Sequence, residues 1–269
     1  MLSPVLFVAT FVCLLFAVST DSENNKHRDY PRSCKELFEL GFDSDYYVIK
    51  PKFSPKPFIV HCDMINSGGG WTEILKRSNS NQSFAKLYNE YVVGFGHLAK
   101  NFWLGLEKMY QLTGFESTEL LFEIVTPKGV SFEFFYSSFS LGSNRTGYDV
   151  KLLGSCSRGT GDGFYTSGGM KFTTTDVDRD ENPDANCADT SQGGWWYNKC
   201  GLTQLTGVYF DDYATKIWNA KYIDWKPWSV PWHQIKSVRM MVRPRTGTNG
   251  DVLFPRREQW SKKDLCPKI

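Results

Sequence analysis

Asp176-Val177-Asp178-Arg179-Asp180-Glu181-Asn182-Pro183-Asp184, then Asn186-Cys187-Ala188, then Gly193-Gly194-Trp195-Trp196-Tyr197-Asn198-Lys199-Cys200, is the stretch on which the fold of this chain turns. Carboxylates recur at alternate positions from Asp176 to Asp180, which turns them to one side of an extended segment. Hard cations such as Ca²⁺ take roughly six to eight oxygen ligands, and such a run can converge on one. The run is not an EF-hand. Counted from Asp176, Glu181 stands where that loop needs glycine and Cys187 where it needs a bidentate glutamate. An isolated acidic run equally suits a solvated turn. The two cysteines that follow, with a tryptophan pair between them, favour a loop held in one shape.

Outward from this stretch the chain reads in two halves. Residues 34–41 predict a short amphipathic helix stopped by Gly41. Residues 46–49 and 58–62 predict strands split by a proline turn, and 71–75 an alternating strand after a glycine run. A helix is expected at 107–112, successive antiparallel strands at 120–125, 131–139 and 148–153, and a last strand at 238–242. From Gly154 onward periodicity fades and Gly, Asp, Asn and Trp dominate. Irregular regions of this length need a staple, and disulfide and metal are both on offer.

The 269 residues fit one large or two modest domains. A net charge of +2 and the absence of a Lys/Arg-rich run argue against a nucleic-acid partner. An aromatic fraction of 16% favours a β- and loop-rich fold.

Residues 2–18 are almost wholly apolar and end in Ala17-Val18-Ser19, the small-residue pattern of a signal-peptidase site. Residues 1–19 are therefore expected to be a signal peptide and 20–31 a polar leader. No later segment approaches a membrane-spanning length, so no membrane insertion is expected, and the mature chain is expected to be secreted and extracellular. Cys13 leaves with the signal, which leaves Cys34, Cys62, Cys156, Cys187, Cys200 and Cys266. An even set in an oxidising compartment implies disulfides, whose pairing spacing alone leaves open. Two glycosylation sequons, at Asn81 and Asn144, agree with export.

The tryptophan-pair stretch, continued by Leu205-Thr206-Gly207-Val208-Tyr209, resembles the signature of fibrinogen C-terminal domains. Cys34-Lys35-Glu36-Leu37, Cys62-Asp63-Met64, Gly69-Gly70-Trp71-Thr72 and Phe102-Trp103-Leu104-Gly105-Leu106-Glu107 are similar to earlier blocks of that family. Gly168-Gly169-Met170-Lys171-Phe172-Thr173-Thr174 and Met240-Met241-Val242-Arg243-Pro244 resemble later ones. The resemblance spans nearly the whole mature chain, so 32–246 is assigned to one such domain and 247–269 to a polar tail.

The resemblance implies an α+β fold. It has an N-terminal subdomain, a central twisted antiparallel sheet with short helices, and a loop-rich calcium-binding C-terminal subdomain. It implies disulfides joining Cys34 to Cys62 and Cys187 to Cys200. It implies a Ca²⁺ cofactor on the carboxylates of Asp178 and Asp180, with carbonyl oxygens near Asn182 and Asp184. It further implies a cis peptide at Lys199-Cys200 beside a ligand pocket formed with Gly201, Trp196, Tyr213 and Ala214.

At that pocket the chain departs from acetyl-recognising relatives, which carry a histidine where this chain has Gly201 and often an aromatic where it has Ser191. Tyr213-Ala214 retains a pair that lines the acetyl pocket in some lectins of the family. The expected function is a secreted calcium-dependent, lectin-like recognition protein for glycans or acetylated ligands, of the kind used in innate immune recognition. The alternative is an angiopoietin-like ligand for a cell-surface receptor, or an extracellular assembly partner. Cys156 and Cys266 fall outside the implied pairs. They either clamp the tail or link subunits into a homo-oligomer.

Catalysis is not expected. The four histidines, His27, His61, His97 and His233, stand in no G-x-S-x-G or H-E-x-x-H setting, and Cys62 beside His61 is expected in a disulfide without a thiolate.

Overall fold

The computed structural model describes residues 30–157, 161–211, 221–226 and 235–245. Seven strands form the path of a ten-stranded sheet, in the order β1 (Asp45–Ile49), β2 (Phe58–Asp63), β3 (Trp71–Arg77), β12 (Ser237–Pro244), β6 (Thr118–Val125), β7 (Ser131–Leu141) and β8 (Val150–Leu153). All these pairings are antiparallel. The short strand β5 (Phe102–Trp103) pairs with β3 and with β4 (Phe95–Gly96), β9 (Cys156–Ser157) hangs from β7, and β10 (Thr203–Gln204) and β11 (Asp224–Trp225) form a separate antiparallel pair. The last strand among the described residues thus lies at the centre, between β3 and β6.

The helices are short: α1 (Cys34–Glu39), α2 (Tyr88–Val93), α3 (Leu106–Thr113) and α4 (Cys187–Ser191). Helices this short are marginal alone and depend on caps and packing. Ser33 caps α1 by accepting from the Glu36 amide. Asn186 does the same for α4 through Ala188. The glycine run before β3 is sterically required: Gly69 has φ 68°, and a Cβ there would lie 2.5 Å from the Met64 carbonyl oxygen.

The two sheet faces differ. On one, Leu120, Phe122 and Ile124 of β6, Phe134 and Tyr136 of β7, and Val238, Met240 and Val242 of β12 enter one large buried core. Leu106 and Met109 of α3 and the ring cluster of the C-terminal half join it. In that cluster Trp196 meets Trp195, Trp103 and Phe172 at centroid distances of 5.2, 5.9 and 5.1 Å, and Trp195 meets Phe164 at 5.8 Å. Such pairs add about 0.5–1.5 kcal/mol each beyond the area they bury.

The other face carries a small core of Trp71, Leu121, Phe135 and Met241 beside paired charges. Arg243 donates two bonds to Glu119, at 3.0 and 2.7 Å. Arg239 Nη1 donates to Asp63 at 2.7 Å and to Glu73 at 2.8 Å, and its guanidinium also pairs with Glu123. Burial alone would raise the carboxyls of Asp63 and Glu73. Hydrogen bonds from the Asn66 amides, His61 and Arg239 overcome this and hold both below their ordinary values.

Arg77 at the end of β3 ties the sheet to the C-terminal loops. Its Nη1 donates to the carbonyls of Leu205 and Gly207, and its guanidinium lies 4.1 Å from the Phe84 ring centroid. Burial, with no carboxylate partner among the described residues, lowers its pKa to about 10.

The α+β architecture agrees with expectation, with three corrections. The strand expected at 148–153 begins at Val150, because Tyr148 takes a left-handed φ of 50°. The helix α2 and the β4–β5 pair were not anticipated. No cis peptide occurs among the described residues, so the Lys199-Cys200 bond is trans. The chain reverses there through successive left-handed residues instead, Cys200 at φ 60° and Gly201 at φ 65°. Glycine takes that conformation at no steric cost, and Cys200 is anchored by its disulfide.

Among the described residues no helix is long and apolar enough to cross a membrane. The expected signal segment, most of the leader, and the tail with Cys266 lie outside the described residues.

Candidate functional site

The site is built on the acidic loop that leads into α4. Asp176 is an anchor: its Oδ1 accepts from the Tyr88 amide at 2.9 Å and the Thr174 hydroxyl at 2.7 Å. Arg179 braces the same junction, with its guanidinium 4.6 Å from the Tyr88 ring centroid and its amide donating to Thr173 Oγ1. From Asp178 on, each alternate side chain accepts from the amide two residues later. Asp178 takes Asp180 N at 3.2 Å, Asp180 takes Asn182 N at 2.8 Å, and Asn182 takes Asp184 N at 3.3 Å. This series of Asx turns is a local reason for the alternation seen in the sequence.

Asp180 is held at both oxygens, because Oδ2 also accepts from Cys187 N at 2.8 Å. Its carboxyl is nonetheless raised above the ordinary value. Burial is the largest cause, and the adjacent Asp178 carboxylate adds to it against the two amide bonds. A carboxylate whose charge is disfavoured beside a second one suits a hard cation between them. No group of three His, Cys, Asp or Glu side chains arranged for a metal occurs among the described residues. A cation here would therefore need further oxygens from the main chain or from Asn182. Asp184 enters the series through its amide, and no contact of its carboxylate is seen among the described residues.

The Cys187–Cys200 disulfide, with Cα atoms 5.0 Å apart, closes the loop onto the turn at 198–201. Glu181 N donates to the Asn198 carbonyl at 3.1 Å, and Asn182 Nδ2 lies 3.7 Å from Cys200 Sγ. Lys226 Nζ donates to the Gly201 carbonyl at 3.0 Å, and Lys199 is exposed. A Cβ at Gly201 would reach Thr166 Oγ1 at 3.4 Å, so the turn faces the 165–167 segment closely. Cys34–Cys62, with Cα atoms 5.3 Å apart, fastens α1 to β2. Cys156 is disulfide-bonded as well.

Trp196 does not reach this surface. It is 1% exposed, and its Nε1 donates to the Tyr148 carbonyl at 2.7 Å inside the ring cluster. Ser191 is buried at the end of α4. Tyr213 and Ala214 lie outside the described residues, as do Trp218, Trp228 and Trp232. Trp225 is core, 4.3 Å from Phe134 between ring centroids. Asn81 and Asn144 are both exposed. Sequence reasoning missed Tyr88 and Arg179 as braces of the acidic loop, since contacts between α2 and residues 176–179 leave no local pattern.

Residues 30–245 match the family described as fibrinogen beta and gamma chains, C-terminal globular domain. The chain belongs to that family. It is 35% identical over 227 residues to human fibrinogen-like protein 1, an alignment covering 78% of this chain and 71% of the relative. It is 34% identical to mouse angiopoietin-4 over 79% of this chain and 42% of that protein. Among solved structures, the fibrinogen-like globe domain of human ANGPTL2 superposes with a TM-score of 0.75 at 33% identity, covering 80% of this chain and 99% of that domain. Lamprey fibrin D-dimer, complexed with the peptide Gly-His-Arg-Pro-amide, gives 0.71 at 26% identity, covering 86% of this chain and 79% of that one. Fibrinogen-like domains are non-enzymatic.

Proposed function

We propose that this chain is an extracellular recognition module for a protein partner. It would be read through the loops around the Cys187–Cys200 bridge, with a calcium ion held at Asp178 and Asp180. The observation that carries the reading is the Asp180 carboxylate, fixed by the amides of Asn182 and Cys187 beside Asp178 in a disulfide-closed loop. When bound, the ion would neutralise both carboxylates and hold the loop in one shape. Disulfides, the signal-like N-terminus and exposed sequons support action outside the cell.

Similarity to angiopoietin-4 and to the ANGPTL2 globe domain favours a protein partner, such as a cell-surface receptor, over a glycan. Gly201 in place of the histidine of acetyl-recognising relatives points the same way. Binding of labelled full-length chain to intact cells, after protease or glycosidase treatment and with or without EDTA, separates the two. Protease and EDTA are each expected to abolish binding, glycosidase to leave it, and Asp178→Ala to weaken it by about tenfold or more, roughly 1.4 kcal/mol. Binding removed by glycosidase and kept after protease would establish the lectin reading instead.

A further inference from the structure

A second surface lies on elements that take no part in the acidic loop. A cleft opens between the turn after β1, the C-terminal end of α3 and the end of β12, lined by Arg32, Lys52, Phe53, Gln111, Phe115 and Pro244. Its wall is aromatic and open to solvent. The rings of Phe53 and Phe115 meet at 4.5 Å with their planes tilted by 40° and remain 52% and 45% exposed. Tyr110 backs Phe115 at 5.0 Å, and Lys52 Nζ lies 5.3 Å from the Phe53 ring centroid. Gln111 is fixed in place, accepting from Ser54 Oγ at 2.7 Å and donating to Glu107 at 3.0 Å.

The rim is basic. Arg32 and Lys52 line the cleft and are exposed, and neither side chain is ion-paired among the described residues, although the Arg32 amide donates to Glu36 Oε2 at 2.7 Å; Glu116 is the acidic lining residue. Lys56 follows in the same turn, and Arg245 follows Pro244, with its amide on the Ser117 carbonyl. Single exposed apolar residues need no explanation. A contacting aromatic pair in a concave site under a cationic rim matches the usual build of a peptide-docking surface, with an apolar centre and a charged edge that selects the partner.

We infer that this cleft docks an acidic segment of a partner protein, whose aromatic or apolar side chain packs on Phe53 and Phe115 while its carboxylates meet Lys52 and Arg32. Charge argues against the chain's own C-terminal segment as occupant. Residues 246–269 carry Arg256, Arg257, Lys262, Lys263 and Lys268 against Asp251, Glu258 and Asp264, so the basic rim repels them.

Fluorescence polarisation tests the inference on the full chain in EDTA, which keeps the acidic loop out of the measurement. The probe is a fluorescein-labelled Glu-Phe-Glu-Pro-Glu peptide, with Lys-Phe-Lys-Pro-Lys as control. Saturable binding of the acidic peptide alone is expected. Arg32→Glu with Lys52→Glu, and separately Phe53→Ser, should each weaken it by about tenfold or more without changing the melting temperature, and added salt should weaken it too. Absence of saturable binding, or equal binding by the charge-reversed chain, overturns the inference. Binding that emerges only after residues 246–269 are removed overturns it as well, since the tail would then be the occupant. None of these outcomes bears on the calcium-loop reading, which concerns other residues.

Discussion

Arg239→Met is expected to lower the unfolding free energy by about 3–5 kcal/mol at neutral pH, and the melting temperature by roughly 10 °C. The guanidinium pairs with Asp63, Glu73 and Glu123 from three different strands, and Glu73 is wholly buried. Removing it leaves Glu73 facing only His61, whose Nδ1 lies 3.1 Å from Glu73 Oε2, and Asp63 with only the amides of Ile65 and Asn66. The cost comes from stranding charge, so it is larger than the net value of the ion pairs themselves.

The pH dependence has a definite sign. Asp63 and Glu73 are held below their ordinary values in the folded chain, so they stabilise it above those values and lose that contribution as pH falls through the depressed ones. Without Arg239, one of the interactions that lower these carboxyls is lost, so both lie higher in the variant than in the parent. The deficit of the variant should therefore be largest at neutral pH and shrink on acidification. Chemical denaturation at neutral and acidic pH checks this. A deficit that grows toward acid would contradict it.

Trp196→Ala carries the second large effect, a loss of about 3–5 kcal/mol. The indole is enclosed by Trp103, Phe172, Phe164 and Trp195, so truncation opens a cavity that these rings cannot collapse to fill. It also strands the Tyr148 carbonyl, which accepts the indole N–H where the chain takes a left-handed turn. Trp196→Phe should cost less, because it keeps ring packing and loses mainly the hydrogen bond. Were the indole a ligand contact at the surface instead, the alanine variant would melt within about 0.5 kcal/mol of the parent. Calorimetric unfolding of the two variants decides between these outcomes.

How far such features could be read in advance depends on whether their cause is local. The strands 58–62 and 71–75 showed themselves because apolar residues alternate, and the disulfide partners followed from the family resemblance. The central strand β12 was legible as Val-Arg-Met-Met-Val, but the role of its arginines was not. Their place under the charged side of the sheet depends on Glu119 and Glu123, more than a hundred residues away. The helix α2 escaped notice because six residues give little periodicity. What holds it is long-range: Tyr91 Oη accepts from Gly194 N, and the Tyr88 amide at the helix start donates to Asp176 Oδ1.

At the candidate site the alternating acids were visible, whereas their use as successive Asx turns was not. The tryptophan pair showed the opposite failure. Trp195-Trp196 marks the family by sequence, yet both side chains are spent on packing. A motif can be diagnostic of a fold without touching any ligand. The turn at Cys200 and Gly201 illustrates a third limit, since several backbone solutions reverse a chain and the choice depends on the disulfide and its neighbours.

The most direct test of the central claim is the melting temperature of the full chain in millimolar calcium and in EDTA, compared with that of Asp178→Ala. A bound ion should raise the parent's stability by about 2.7 kcal/mol when calcium stands at a hundredfold its dissociation constant, and leave the variant almost unmoved. A parent that melts identically in calcium and EDTA, or a variant with the same calcium shift as the parent, would contradict a calcium-fixed recognition loop at Asp178 and Asp180.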